Sequence, residues 1–403
     1  MLRDRSIRAL LAAQLVSTSG TQMTFLALPW FVLATTGSAA RMGAVLAAEL
    51  VPVGLLGVPS GAVAARLGAR RTMLICDAAR VPLIVLVPVL HWSGALSFPA
   101  LLAIVFCVGI FNAPYSSSRS SILPELLGEE EGVVAQASSL FEGGRTATTI
   151  AGPVIGGLLI GFIGSASVLV VDAASYVVAF ALVAVFVRGG RRHATTDDAR
   201  GVLAGIRFVF RDPLIGPAAV VSIGLNLLAS ALFASLPVLV FLRYDANPRI
   251  AGLLFASFGV GSVLGSVVAY RAVARLPLLK VAGVALVLSA LPLWLLALRL
   301  PAYGVALVLA CFGLFLPFVN APMMGVITVR TPPALRQKVL TALFTVVTLA
   351  SPVGLAVAGP ALQAWGPRAL YLGVAAAFSA LALVYAAVVA TRGAVPDGAP
   401  ALG

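Results

Sequence analysis

The chain has 403 residues, 61% of them hydrophobic and only 10% charged, with a mean hydropathy of +1.07. Soluble globular domains carry charge on about a quarter of their residues, so that class is excluded. The net charge of +13 and pI near 10.8 would suit a nucleic-acid partner, but the cations fall in short loops between apolar stretches, where anionic lipid headgroups account for them; no nucleic acid is expected.

Residues 9–40, 81–118, 146–171, 213–242, 250–270, 300–329 and 339–367 contain no Asp, Glu, Lys or Arg, and a spanning helix needs about 20 apolar residues. Dividing these stretches at turn residues (Thr36 to Ser38, Trp92 to Gly94, Gly164 and Ser165, Leu300 and Pro301, Trp365 to Pro367) predicts an all-α integral membrane protein of twelve helices. Residues 1–188 and 213–403 then form two six-helix bundles, joined by a polar linker at 189–212. Short cytoplasmic loops retain Lys and Arg. Arg41, Arg243, Arg249, Arg299 and Arg368 lie on one side, Arg80 and Arg145 lie within helices, and the rest of the 27 cations share the side of the N-terminus. Both termini are therefore expected in the cytosol. The run after Arg3 to Arg8 is too long for a signal peptide and lacks a cleavage site, so it is read as an anchor that stays. Cys76, Cys107 and Cys311 form no Cys-x-x-Cys pair, and His91 and His193 stand alone. No disulfide, metal site or catalytic cluster is indicated, and an enzyme is not expected.

In chain order, the first predicted helix carries Gln14, Ser17, Thr18, Thr21 and Gln22 within about 140° of one face. Such groups at membrane depth need water or partners, so the stripe either lines a cavity or bonds to a neighbouring helix; the cavity is favoured. The second helix holds Glu49 with no base nearby in sequence, a functional candidate by default. It runs into GVPSGAVAARLGARR, where Gly57 and Gly61 share a face that would admit a neighbouring helix and Arg66, Arg70 and Arg71 stay in the cytosol. Gly61, Arg66, Gly68, Arg70 and Arg71 resemble the loop between the second and third helices of major facilitator superfamily transporters, G-x-x-x-[DE]-R-x-G-[RK]-[RK], with Ala65 in place of the acid.

The third helix pairs Asp77 with Arg80 three residues on. FNAPYSSSRSSILPELL, followed by Glu129 to Glu131 and AQASSL, resembles the superfamily branch of enterobactin exporters and macrolide efflux proteins. In the fifth helix Glu142 and Arg145 repeat the acid-then-base spacing, and Gly152, Pro153, Gly156 and Gly157 form a bend that is similar to the motif of antiporters, with Thr148 replacing an upstream glycine. The sixth helix carries Asp172, whose peripheral place favours a structural role. In the linker Val202, Leu203, Ile206, Val209 and Phe210 oppose Arg200, Arg207 and Arg211, which predicts a helix lying on the membrane surface.

The second half echoes the first: Gly261 and Gly265 precede Arg271 as Gly57 and Gly61 precede Arg66, and Asn320-Ala321-Pro322 echoes Asn112-Ala113-Pro114. Its acids do not repeat. After residue 213 only Asp245 and Asp397 occur, outside the predicted helices, so carboxylate-based proton coupling must reside in the first half. Glu49, Glu142 and Asp172 are the candidates, with Glu49 preferred because Glu142 and Asp77 have bases three residues on. Asp77, Arg80, Glu142, Arg145 and Arg66 are read as a cytoplasmic gate network.

The resemblance implies a monomeric secondary transporter in a bacterial cell membrane that exports amphipathic small molecules, drugs or siderophores, by alternating access, with a proton gradient as its energy source and no cofactor. Its implied cavity residues here are Gln14, Thr18, Gln22, Asn112, Asn226 and Asn320. Two other readings stand beside it: an importer or facilitator of a small nutrient, and a non-transporting membrane sensor or scaffold.

Overall fold

A computed structural model describes residues 4–127, 131–187, 206–273 and 278–392. The regular elements among them are helices: α1 (Arg5–Thr36), α2 (Ala39–Leu67), α3 (Ala69–Trp92), α4 (Phe98–Leu127), α5 (Glu131–Ile163), α6 (Ser165–Phe186), α7 (Ile215–Arg243), α8 (Pro248–Val273), α9 (Leu278–Leu293), α10 (Ala302–Arg330) and α11 (Pro333–Arg392). Residues 206–211 add a short helix, and a 3₁₀ turn, Trp294–Ala297, follows α9. Ten of these segments, in α2 to α11, are long and apolar enough to cross a membrane. The amides and hydroxyls between Gln14 and Gln22 keep α1 from that set.

Breaks fall where the sequence supplies turn chemistry. Gly68 alone separates α2 from α3 and has φ 82°, which a side chain would oppose. Gly366, with φ 75° and ψ 169°, divides α11 into two arms at the Trp365 to Pro367 turn. The α1 end is capped by the Gly37 N–H, which donates to the Leu33 carbonyl at 2.9 Å, and Ser38 then caps α2 by accepting from the Arg41 N–H at 3.3 Å.

The chain forms two compact units. The first comprises Met1–Ala199, Ser230–Ala256 and Ser351–Gly366. Within it α1 packs along α5 and α6, α2 along α4, and α3 against α4 and α6. Small residues set the spacing: a Cβ on Gly156 would lie 3.1 Å from the Met23 Cα, and one on Gly144 2.9 Å from the Leu15 Cδ2. The later segments join this unit by the same device. A Cβ on Gly157 would sit 2.5 Å from the Pro248 carbonyl oxygen, one on Gly252 2.6 Å from that of Pro153, and one on Gly43 2.6 Å from that of Leu355. The units are thus cut differently from the sequence halves 1–188 and 213–403: residues 230–256 and 351–366 fall in the first unit, and glycine contacts bind parts of α8 and α11 to the first half.

The second unit comprises Arg200–Ala229, Ser257–Ala350 and Pro367–Gly403. Gly261 and Gly265 of α8 lie directly over the Ala310 and Leu314 carbonyls of α10, and the Phe312 ring of α10 sits 5.9 Å from Phe258 and 5.4 Å from Phe378. Two expectations are corrected by the described residues. Gly57, read as a close-packing position like Gly261, has nothing within 4 Å of where its Cβ would be, because α2 meets α4 higher up, where Gly109 lies on the Glu49 carbonyl. The apolar arc of the linker helix was expected on the membrane surface. In its described part Ile206 and Val209 line a small cavity with Ala219, Ala342, Leu343 and Val346, and Val209 is 2% exposed, whereas Phe210 remains 48% exposed; residues 189–205 of that segment lie outside the described set.

Candidate functional site

The first unit encloses the charge that its helices carry. The Arg80 guanidinium, 2% exposed, leans against Asp77 one turn earlier on α3, to which its Nη2 donates. Its Nη1 donates to the Asn112 Oδ1 of α4 at 3.0 Å. The Tyr115 and Tyr176 rings lie on it at 4.1 and 4.3 Å from Cζ to centroid. A buried charge is tolerated only when paired and hydrogen-bonded, and stacking on two rings adds cation–π attraction away from water. Asp77 is fully buried, and its Oδ2 finds no hydrogen bond.

Asp172, also fully buried, is held from α6 by hydroxyl donors: Thr24 Oγ1 at 2.6 Å and Ser175 Oγ at 3.3 Å. Tyr176 shares a 3.0 Å hydrogen bond with Thr21. Gly20 is what admits this arrangement, since its Cβ would overlap the Ser175 and Asp172 side chains. Glu49 of α2, half-buried, lies within electrostatic reach of Asp172 and Tyr176. Asp77 and Asp172 thus lie within reach of one guanidinium, and Glu49 within reach of Asp172. Arg80 neutralises Asp77, and hydroxyls cradle Asp172; Glu49 has neither a base nor a hydrogen-bond partner among the described residues.

The other predicted site residues are dispersed. Glu142 and Arg145 pair with each other at the surface of α5, the Arg145 Nε lying 2.9 Å from both carboxylate oxygens, with side chains 60% and 40% exposed. No hydrogen bond or ion pair joins them to Asp77 and Arg80 among the described residues, so the expected single gate network separates into a buried cluster and an exposed pair. Arg80 is enclosed between α4 and α6 through Asn112, Tyr115 and Tyr176, whereas the Glu142–Arg145 pair lies within electrostatic reach of Arg119 on α4. Arg66 and Arg71 are exposed, while Arg70 donates to the Ala184 carbonyl of α6 at 2.7 Å. Where the motif has Ala65 instead of an acid, Glu125 at the end of α4 accepts from the Ala69 N–H that opens α3, at 3.3 Å, a favourable place for a carboxylate. Gly61 lies in α2 with its surroundings outside the described set.

Of the expected cavity residues, Gln14 is buried and donates to the Phe141 carbonyl at 3.1 Å, and Gln22 donates to Thr149 Oγ1 at 2.8 Å. Asn112 anchors Arg80. Thr18 and Asn226 are half-buried and Asn320 is exposed. The α1 stripe thus bonds to α5 and α6 at these positions, which was the alternative to a cavity lining. The α5 glycines serve two faces: Gly152 and Gly156 touch Gln22 and Met23 of α1, and Gly157 touches Pro248 and Gly252. Sequence reasoning missed Gly20, Thr24, Tyr115 and Tyr176. The signal for Tyr115 and Tyr176 was available, since each is a polar-tipped ring in a long apolar helix. Among the described residues no His, Cys, Asp and Glu side chains group as metal ligands.

Many long apolar helices around a buried polar cluster make a multi-pass membrane protein. The chain matches the transmembrane secretion effector family across residues 1–401 and belongs to that family of major facilitator transporters. It is similar to the multidrug efflux pump Tap of Mycolicibacterium fortuitum, 28% identical over 385 residues covering 90% of each chain. Tap of Mycobacterium tuberculosis is 24% identical over 378 residues, covering 91% of this chain and 89% of its own. The crystal structure of the nucleoside transporter NupG superposes with a TM-score of 0.76 at 13% identity, covering 95% and 98% of the two chains, which shows the fold. The protein is therefore a membrane transporter and not an enzyme.

Proposed function

We propose that the chain is a proton-coupled antiporter that exports amphipathic small molecules by alternating access, with Glu49 as the proton carrier and both termini in the cytosol. With α1 taken as a span despite its polar stripe and the two arms of α11 counted separately, the ten apolar segments become twelve spanning helices in this reading, two sets of six, the arrangement that alternating access uses. The observation that carries the reading is the position of Glu49 beside Asp172 with no base of its own. Two carboxylates in mutual reach inside a low-dielectric bundle are costly when both are charged, so a proton resides on the pair and its exchange can be tied to the substrate cycle. Asp172 has fixed hydroxyl partners, which leaves Glu49 free to give and take that proton. The similarity to efflux pumps named for multiple drugs supports a broad amphipathic substrate range.

The test is accumulation of a panel of dyes, macrolides and siderophores in efflux-deficient bacteria expressing the chain, with and without a protonophore. Lowered accumulation that the protonophore restores is expected, and Glu49→Gln should abolish the effect at unchanged expression. Export by Glu49→Gln equal to that of the parent would overturn the role of Glu49; export insensitive to the protonophore would overturn proton coupling itself.

A further inference from the structure

At the end of the first unit where α1 passes into α2 and α3 into α4, a cavity of about 450 Å³ opens, well apart along α1, α2 and α3 from the cluster around Arg80. Its volume is in the range of small-ligand pockets, about 300–1,000 Å³. Arg41, His91 and Ser97 supply its donors, and Phe31, Phe98 and Leu101 line its apolar side. Each polar group is positioned. The Arg41 guanidinium lies 5.3 Å from the Phe98 ring centroid, and the His91 ring meets Phe31 edge-on at 4.9 Å. Ser97 Oγ accepts from the Ala100 N–H at 3.4 Å, which leaves its own proton to donate.

Thr35 and Thr36 also line the cavity, but their hydroxyls already donate to the Phe31 and Val32 carbonyls at 2.7 Å each, so the donor set is the cation, the imidazole and the serine. Nothing acidic answers them. The connecting segments 37–41 and 92–98 contain no Asp or Glu, and among the described residues no carboxylate pairs with Arg41. A guanidinium fork with two further donors matches an anion that has several acceptor oxygens. The apolar wall beside them matches an attached chain, and the position at the end of the spanning helices is headgroup level.

We propose that this cavity binds the phosphate group of an amphiphile, with Arg41, His91 and Ser97 on the phosphate oxygens and the Phe31, Phe98 and Leu101 side chains against the apolar part. The same phosphate chemistry can arrive as a membrane lipid headgroup or as a free phosphate. The detergent-purified full chain is to be titrated with phosphatidylglycerol, with diacylglycerol of the same acyl chains, and with inorganic phosphate, while bound lipid is read by native mass spectrometry and unfolding by a thermal melt. Phosphatidylglycerol is expected to bind and to raise the melting temperature where diacylglycerol does not. In Arg41→Gln and His91→Gln its binding should weaken about tenfold or more, the size of one lost charged hydrogen bond, and Arg41→Lys should recover part of it.

If inorganic phosphate alone raises the melting temperature and displaces phosphatidylglycerol, the ligand is a soluble phosphate; if it does neither, the ligand is the lipid headgroup. Equal binding of phosphatidylglycerol and diacylglycerol by the parent chain, with no response to inorganic phosphate, overturns the proposal however the variants fold. Undiminished phosphatidylglycerol binding by folded Arg41→Gln and His91→Gln also overturns it.

Discussion

Arg80 and Arg145 each follow an acid by three residues on a helix, and the sequence gives them the same local setting; their environments are opposite. Arg80 is enclosed by Asp77, Asn112, Tyr115 and Tyr176. Removing it strands a buried carboxylate, which costs about 3–5 kcal/mol when a buried pair loses one member. Arg80→Met should therefore lower the thermal unfolding temperature of the detergent-purified protein sharply. Arg145→Ala breaks an exposed pair and should change stability by less than about 1 kcal/mol. The same melts with Gly20→Ala test the α1–α6 contact, since the added Cβ must push against Asp172 and Ser175; a drop in stability together with loss of export is expected, and an unaltered melt would refute the packing. That Asp77 and Arg80 neutralise one another was legible in the sequence. Tyr115 and Tyr176 stand out in the sequence as polar-tipped rings in apolar helices, but that they close over Arg80 does not, because they come from α4 and α6 and only the packing of three helices brings them together.

At the scale of elements, glycines at equal spacing do unequal work. Gly261 and Gly265 let α8 lie on the carbonyls of α10, whereas Gly57 faces open space. Alanine in an open helix interior is favoured over glycine by about 0.5–1 kcal/mol, while forcing a methyl into a closed contact costs about 1–3 kcal/mol. Gly57→Ala should thus be neutral or slightly stabilising and Gly261→Ala destabilising, read as opposite shifts in melting temperature. The repeat between the halves was visible as a pattern of glycines before arginines, but which copy makes the contact depends on where the partner helix crosses. The linker helix shows the same limit. Its apolar arc was readable from periodicity, yet an apolar arc fits lipid and protein equally well, and within it Val209 is buried while Phe210 is exposed.

At the scale of the whole molecule, the cations divide the chain into two sides. A fluorescent protein that folds only in the cytosol, fused after Arg392, should fluoresce, and alkaline phosphatase inserted after Asp245 should be active, since it needs the oxidising outer side. Silence of both reporters would invert the proposed orientation. The contact units add a feature that a division into halves does not contain: segments of α8 and α11 pack into the first unit through Gly43, Gly157 and Gly252.

The sequence by itself determined the class of the protein, the number and limits of its apolar stretches, most turn positions and the confinement of membrane-depth acids to the first half. Each of these follows from composition and short-range periodicity, which a bilayer enforces segment by segment because every backbone polar group must be satisfied within its own helix. Only the tertiary structure decided which polar side chains meet. It set Asn112 on Arg80 and Gln14 on α5, separated Glu142 and Arg145 from Asp77, and left Glu49 beside Asp172 without a base. Those outcomes depend on the rotation of each helix about its axis, which is fixed by side-chain packing between segments far apart in the chain.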